Sequence, residues 1–299
     1  MLENNNLKAL SLTLSHALLF SLTGVFINLV SSEIGIFEQI FYRALFSLVF
    51  IFLVFKPKIK ECLQKDALFI LASRAIFGFL GMGSMFYAIL NLQLSIAMVL
   101  TFTTPLFVMI LGKFILKENV TGNQIIPILT VFIGLFFVAN ISFVDKISFG
   151  VDLFPFSIGL LGSVLTAIAF LSMRSALKIV STQVVIIWFS LFNIIGAGIV
   201  SYDNLSIPVG DDIYYVIAIA VFGLLSDITK TQAYKYAAAW FVSLISLSSI
   251  VFSLFLGWLI LDEYIEGTQV FGIILISSGI ALLILKLQNI SPKLKSSPL

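Results

Sequence analysis

The sequence of 299 residues is 60% apolar and only 11% charged, with a mean hydropathy of +1.13 and a formal net charge of +2. Soluble domains are about half apolar and about a quarter charged, so this composition excludes a soluble globular protein. The single cysteine, Cys62, excludes an intramolecular disulfide and a cysteine-based metal cluster.

Apolar runs of about 18 or more residues, each long enough to cross a bilayer as a helix, recur along the whole chain. The first run follows a short polar tail. It is too long for the hydrophobic region of a signal peptide, so we expect it to remain as a membrane anchor. The predicted spans are 7–30, 36–55, 67–90, 94–116, 122–140, 154–178, 182–202, 213–234, 239–261 and 268–286.

The chain is predicted to consist of two copies of one five-helix unit. The stretch 114–138 returns at 259–283 with its charged elbow, two glycines and a glutamine in the same places. A constant spacing without gaps is the mark of an internal repeat. The matched pairs, each 145 residues apart, are Glu118 and Glu263, Gly122 and Gly267, Gln124 and Gln269, and Gly134 and Gly279. The expected organisation is a first repeat at 7–140, a linker at 141–152, a second repeat at 153–286 and a polar, basic, disordered cytoplasmic tail at 287–299.

The placement of lysine and arginine predicts that both termini are cytoplasmic. With the N-terminus inside, the inner loops and helix ends carry nearly all basic residues, including the four lysines of the loop at 56–65, and the outer loops carry Lys146 alone. Because each repeat has an odd number of spans, the second repeat is inverted relative to the first. Inverted repeats are a recurrent plan of secondary transporters, with the substrate site near the midplane between the halves. We therefore expect an all-α polytopic membrane protein of the bacterial inner membrane.

Four segments resemble the EamA family of the drug/metabolite transporter superfamily. They are FEQIFYRALFSLVF, which contains Arg43, RAIFGFLGMGSMFYAILNLQLSIA, which begins at Arg74, TTPLFVMILGKFILKE, and its copy SSIVFSLFLGWLILDE. The resemblance covers about 9–286 and implies a ten-helix carrier with both termini cytoplasmic. Members carry amino acids, nucleosides, S-adenosylmethionine and other metabolites. The bacterial S-adenosylmethionine carriers resemble the chain as a near branch, although no motif here is specific to them.

Asp227 is the only acidic residue predicted to lie deep within a span, where a charge is unfavourable by about 2.5–3.5 kcal/mol on insertion scales. Lys230 follows at i+3, and Thr231 and Tyr234 continue on the same helical face. Asp227 and Lys230 are either an ion pair that only tolerates burial or the wall of a cavity for a polar or zwitterionic solute. Pairing with Lys230 would favour the charged form of Asp227 and weaken a role in proton coupling.

Three further ionisable residues are predicted within the spans. Arg43 either faces the cavity or has a structural role, paired with Glu38 or a carbonyl. Arg74 has glycines near its helical face at i+4 and i+7, which leave space for a ligand or permit close helix packing. His16, the only histidine, is a candidate for proton coupling or a neutral residue bound to a neighbouring helix. Lys113 and Arg174 lie near helix ends and are predicted to reach the headgroups.

The fourth and ninth spans carry a matched stripe of hydroxyl side chains, which either pack the two helices together or line an aqueous path. Pro105 predicts a kink in the fourth span. Trp188 and Tyr87 lie farther from the helix ends and could stack on an aromatic or cationic solute. The matched hydroxyl pairs are Thr101 with Ser246 and Thr104 with Ser249.

We expect a carrier of small polar metabolites, driven by a proton or a counter-substrate, that works without a cofactor, metal or nucleic acid. A homodimer is left open. The sequence has no HExxH, CxxC or P-loop motif, which disfavours an intramembrane enzyme. A structural or assembly protein is the remaining alternative, and it would have a packed, dry centre. Glu118 and Glu263 fall on opposite sides of the membrane, so they cannot form a catalytic pair, and each is expected to cap its own elbow.

Overall fold

The computed structural model describes residues 2–139 and 153–293, and the predicted linker and residues 294–299 lie outside the described part. The described residues form α-helices, one short 3-10 turn and connecting loops, without a β-strand. The helices are α1 (Leu2–Leu29), α2 (Ile36–Phe55), α3 (Ile59–Cys62), α4 (Lys65–Asn91), α5 (Leu94–Phe102), α6 (Thr104–Ile115), α7 (Gly122–Val138), α8 (Leu153–Ala176), α9 (Thr182–Val200), α10 (Asp212–Tyr236), α11 (Ala239–Ile245), α12 (Ser248–Ile260) and α13 (Gly267–Lys293).

Ten membrane spans can be assigned in the described residues. Nine stretches, two of them made of a broken helix pair, are at least 18 residues long and apolar enough to cross a bilayer, and the apolar helix α7, with 17 residues, supplies the tenth. This confirms the all-helical membrane fold. The ends differ from the prediction, because α1 begins at Leu2 and α13 continues to Lys293, into the segment predicted to be disordered.

The fourth and ninth spans are each broken near the middle. In the fourth span the break is at Thr103, and Pro105, which cannot donate a backbone hydrogen bond, lies in the first turn of α6. The ninth span breaks between α11 and α12 without a proline. Both spans have a hydroxyl that bonds back to the carbonyl four residues earlier, Thr101 at 3.0 Å and Ser246 at 2.8 Å, an arrangement that often bends helices. The matched breaks belong to the repeat.

The two elbows have the same backbone conformation. Lys117 and Asp262, which are 145 residues apart, both adopt the left-handed region, with φ of 56° and 54°. The next N–H bonds to the carbonyl of Gly112 in one repeat at 3.2 Å and of Gly257 in the other at 3.1 Å. Each N–H therefore reaches back six residues to close the helix end, and no glycine occupies the left-handed position. The sequence repeat is therefore also a repeat of local structure.

The helices of one repeat pack on the inverted partners of the other. The most extensive contacts join α4 to α8 and, equivalently, α10 to α1, while α7 packs on α13 and α2 on α9. The α7–α13 contact is close because Gly134 meets the backbone of Gly272, and Gly279 meets the carbonyl of Pro127. Gly272 and Pro127 are themselves 145 residues apart, so these two contacts are symmetry-related.

The two ends of the bundle are packed differently. The half-helix α6 packs on α11, whereas α5 and α12, the other halves of the same spans, have no comparable contact in the described structure. Bulky, fully buried side chains such as Leu244, Ile245 and Tyr234 lie at the α11 end. We call this the inner end, because the charge distribution predicts that it is cytoplasmic, and the opposite end the outer end. The bundle is closed at the inner end and splayed at the outer end.

Candidate functional site

An ion pair links the two repeats inside the bundle. Arg43 Nη2 on α2 donates to Asp227 Oδ2 on α10 over 2.6 Å, and each side chain is 22% exposed. Arg43 lies seven residues into α2, about 10 Å from its outer end at 1.5 Å per residue. Asp227 thus pairs with Arg43 and not with Lys230. Arg43 Nη2 also donates to the Gly223 carbonyl over 3.4 Å, so the carbonyl partner considered from the sequence is present and the Glu38 partner is not. Glu38 instead accepts the backbone N–H groups of Gly35 and Ser206 at 2.5 Å each.

Matched glycines make room for the two arginines. Arg43 crosses the face of α10 at Gly223, where a Cβ would overlap the guanidinium. Gly78 is the equivalent residue of the first repeat. A Cβ there would overlap the guanidinium of Arg74, which lies one turn earlier on α4. Both glycines therefore make space for an arginine side chain. For Gly78 the sequence analysis considered ligand space or close helix packing, and neither describes this contact.

Arg74 and Lys230 lie on aromatic rings instead of carboxylates. The Arg74 guanidinium is 4.1 Å from the ring centroid of Phe189 on α9, and the Lys230 ammonium is 4.0 Å from that of Phe170 on α8. A desolvated cation–π contact contributes about 2 kcal/mol, compared with about 2.5–3.5 kcal/mol for placing a charge at mid-bilayer. The rings therefore offset these two charges only in part.

These side chains form one charged cluster, which we define as Arg43, Arg74, Asp227 and Lys230. Asp227 interacts electrostatically with Arg74 and with Lys230 as well as binding Arg43. Three basic groups thus surround one carboxylate. The first repeat supplies the two arginines and the second supplies Asp227 and Lys230, so the cluster lies at the interface between the repeats.

His16 joins α1 to α10 next to this cluster. It is buried, and its Nδ1 lies 2.7 Å from Ser226 Oγ and 3.2 Å from the Ser226 carbonyl. Ser226 directly precedes Asp227 in the chain. The structure therefore brings both sequence candidates for proton coupling into one region, with His16 hydrogen-bonded to a neighbouring helix and Asp227 paired.

Four of the predicted site residues have other partners. The Trp188 indole N–H donates to the Cys62 carbonyl over 2.9 Å and so anchors α3, while Tyr87 is 39% exposed and meets the Phe154 ring edge-on at the outer end. Tyr234 is fully buried, with its ring 5.8 Å from Phe170 and its carbonyl bound by Arg174. Thr231, which follows the cluster on α10, is also buried. Trp188 therefore has a structural contact through its N–H, and its stacking on a solute stays a prediction.

The matched hydroxyls lie at or next to the helix breaks. Thr101 and Ser246 bond to their own helices, and the Ser249 carbonyl accepts from Ser21 of α1 over 2.7 Å. Thr104, in the first turn of α6, is 6% exposed. Among the described residues, the predicted contact between the fourth and ninth spans is extensive at the inner end, through α6 and α11, and not at the outer end.

A second polar junction closes the inner end. Glu118 accepts the backbone N–H of Ala239, the first residue of α11, over 2.7 Å and lies 3.5 Å from Arg174 Nε. Arg174 also donates to the Tyr234 carbonyl. The predictions that Glu118 caps its own elbow and that Arg174 reaches the headgroups are therefore wrong, since each binds across the bundle. The elbow is closed by Gln124, which accepts the N–H of Thr121 at 2.8 Å.

Glu263 has no such junction at the outer end. It is exposed, and its carboxylate folds back against Gly257. The start of α13 is instead capped by Gln269, which accepts the N–H of Glu266 at 3.0 Å. The two glutamates therefore share a sequence position but differ in their contacts, as the closed and splayed ends require.

Sequence reasoning did not identify Phe170, Phe189 or Gly223 as part of the cluster. The two phenylalanines are among 30 in the chain, so their residue type carries little information. Gly223 had a detectable signal, because it lies 145 residues after Gly78 and one turn before Asp227. Among the described residues no group of His, Cys, Asp or Glu has the arrangement of a metal site.

Comparison with known proteins places the chain among transporters. One crystal structure superimposes on this chain with a TM-score of 0.80 at 15% identity, which shows the fold. The match covers 94% of this chain and 98% of the other. An uncharacterized transporter of Helicobacter pylori is 24% identical over 92% of this chain and 94% of its own.

Two other relatives have more specific names. The pseudopaline exporter CntI of Pseudomonas aeruginosa is 24% identical over 86% of this chain and 89% of its own. An S-adenosylmethionine uptake transporter of Rickettsia prowazekii is 31% identical over 38% of this chain and 39% of its own. The model of the EamA-like transporter family matches residues 7–140 and 153–285. The inverted repeat, the charged cluster between its halves and this match over nearly the whole chain together show that the protein belongs to the EamA-like transporter family.

Proposed function

We propose that this protein is a secondary-active or exchange carrier that moves small polar metabolites across the bacterial inner membrane by alternating access. The observation that carries the proposal is the charged cluster at the interface between two inverted repeats, in a bundle closed at one end only. A purely structural membrane protein has no need of three basic side chains around one carboxylate within the bilayer.

The packing supports a rocking motion about this cluster. In the described state α6 and α11 meet at the inner end, and α5 and α12 are apart at the outer end. Because the repeats are equivalent, exchanging their conformations would bring α5 and α12 together and separate α6 from α11. A solute held at the cluster would then face the other side of the membrane.

The coupling partner is proposed to be a proton or a counter-substrate. Asp227 is the first candidate for proton coupling, because its carboxylate binds Arg43 across the interface between the two repeats. His16 is the second candidate for proton coupling, since its ring reaches α10 beside Asp227.

The substrate class is proposed to include amino acids, nucleosides or S-adenosylmethionine. One relative is named an exporter and another an uptake transporter, so both directions belong in the test. Both repeats, at 7–140 and 153–286, are proposed to act as moving units, with the termini cytoplasmic.

The test is counterflow in liposomes containing the purified protein. The liposomes are loaded with one unlabelled metabolite, and the same metabolite is added outside in labelled form. We expect the trapped metabolite to drive uptake of the labelled one for at least one member of a panel of these metabolites. Asp227→Asn and Arg74→Ala should insert normally and lose most of this uptake. Absence of counterflow for every metabolite would contradict a carrier, and unchanged uptake in both variants would remove the cluster from the site. A pH jump in the same vesicles tests whether transport is coupled to a proton.

A further inference from the structure

The cluster contains more positive than negative charge, and two of its cations have no carboxylate partner. Asp227 is committed to Arg43. Glu118 is committed to Arg174 and to the N–H of Ala239 at the inner end. Within the described residues, no carboxylate lies within ion-pair distance of Arg74 or Lys230.

Arg74 has a buried N–H donor that makes no hydrogen bond to another described residue. Its side chain is 8% exposed, yet its Nε has no hydrogen-bond partner among the described residues. A buried guanidinium normally satisfies its five N–H donors with carboxylates, carbonyls or water. Phe189 covers one face of the guanidinium, but a ring face does not replace hydrogen bonds to its edge. The edge of Arg74 is suited to a planar or tetrahedral oxyanion.

Lys230 lies among more positive than negative charge. The basic groups of Arg74 and Arg43 repel it, and the carboxylate of Asp227 attracts it. Its ammonium makes its contact with the ring of Phe170. A negative group near both Arg74 and Lys230 would convert this repulsion into two attractions, and in a membrane interior such attractions are weakly screened.

We propose that Arg74 and Lys230 bind an anionic group of the transported solute, so that the carrier takes solutes bearing a carboxylate or phosphate in preference to uncharged molecules and organic cations. This inference rests on the proposed transport function. Arg74 belongs to the first repeat and Lys230 to the second, so one anion would bridge the repeats. Binding would favour the conformations in which the two cations are close together.

The first experiment compares matched solutes with the unaltered protein in neutral-lipid liposomes. The pairs are glutamate with glutamine, arginine with agmatine, and glycerol 3-phosphate with glycerol. Each pair differs mainly in one anionic group, and thermal stabilisation and competition against counterflow are measured. We expect the anionic member of at least one pair to compete at least tenfold more strongly. A carboxylate preference and a phosphate preference both support the inference and identify the group.

The second experiment removes one cation at a time. Because a variant of Arg74 is expected to lose most counterflow, the preference is read as thermal stabilisation by each solute. Arg74→Gln and Lys230→Gln should abolish the extra stabilisation by the anionic member, while Arg74→Lys should retain part of it. Lys113→Gln is the matched control, since Lys113 is exposed and near a helix end, and it should leave the preference unchanged. Equal competition by charged and uncharged members, or preference for agmatine, in a protein that still shows counterflow would overturn the inference and leave the carrier function intact. Failure of counterflow with every solute would instead overturn the carrier function.

Discussion

Arg43 and Asp227 form a 2.6 Å ion pair that crosses from the first repeat to the second. The pair is partly buried, and removing one partner is more damaging than removing both because it leaves an uncompensated charge. We therefore expect Arg43→Gln and Asp227→Asn each to lower the melting temperature of the purified protein in detergent, and the double variant to be more stable than the sum of the single effects predicts. The coupling should be about 0.5–3 kcal/mol, the range for residues in direct contact. Additive effects would show that the pair does not stabilise this state.

Gly223 allows Arg43 to reach Asp227, because a Cβ at this position would overlap the guanidinium. Gly223→Ala should displace Arg43 and reduce transport about tenfold or more, with normal insertion into the membrane. Gly78→Ala should act in the same way through Arg74. Gly83→Ala is the control, since a methyl group there would enter open space. Equal transport by the Gly223 and Gly83 variants in counterflow would contradict this role.

Gly134 holds α7 against α13 and should matter for stability more than for transport chemistry. A Cβ there would lie 2.8 Å from the carbonyl oxygen of Gly272 and 2.8 Å from the nitrogen of Ile276, both backbone atoms that cannot turn away. Overpacking of this kind costs about 1–3 kcal/mol, so Gly134→Ala should melt several degrees lower in detergent. Gly122→Ala, on the same helix but with open space around it, should melt within a degree or two of the natural protein. A Gly134 variant as stable as the Gly122 variant would exclude this close contact.

The architecture could be predicted from the sequence because it depends on long, regular signals. Hydrophobic length gave the spans, and the constant spacing of Glu118 and Glu263 gave the repeat. The partners of individual side chains could not be predicted in the same way. Lys230 is one turn from Asp227 along α10, but Arg43 reaches the same carboxylate from another helix because Gly223 leaves a path. Such pairing depends on which helices are neighbours, and local sequence does not contain that information.

The difference between the two elbows shows the same limit at a larger scale. Glu118 and Glu263 have equivalent neighbours in sequence and the same backbone conformation. Glu118 binds Ala239 because the inner end is closed, whereas Glu263 is exposed because the outer end is splayed. An inverted repeat encodes two equivalent ends, and one conformation must break that equivalence. Sequence symmetry therefore predicts the pair of sites and not which of them is engaged.

The junction between Glu118, Arg174 and Ala239 should hold the inner end closed. Glu118→Gln removes the charge that binds Arg174 and weakens the hydrogen bond to the start of α11. We expect this variant to open at the inner end more often. A cysteine at Ala237, which is buried there, introduced in a Cys62→Ser background, should then react severalfold faster with a maleimide.

Glu263→Gln is the matched control for this junction, because it changes the equivalent residue at the splayed end. It should leave the labelling rate of the Ala237→Cys protein unchanged. A similar increase in both variants would mean that loss of either glutamate loosens the protein in general. No increase with Glu118→Gln would mean that the apolar contact between α6 and α11 is sufficient for closure.

Cys62 provides a test of the α3 contact, and a cysteine at position 58 in the same loop provides a test of the orientation in the membrane. The thiol is 8% exposed, and burial together with the neighbouring charge of Glu61 raises its pKa. A raised pKa keeps the thiol protonated at neutral pH, so alkylation should be slower than for a free cysteine and should accelerate as the pH rises through the raised value. Lys58→Cys in a Cys62→Ser background is the exposed control from the same loop and should react quickly at pH 7.

A membrane-impermeant maleimide should label this control in inverted vesicles and leave it unlabelled in intact cells, and the reverse pattern would place the loop outside the cell.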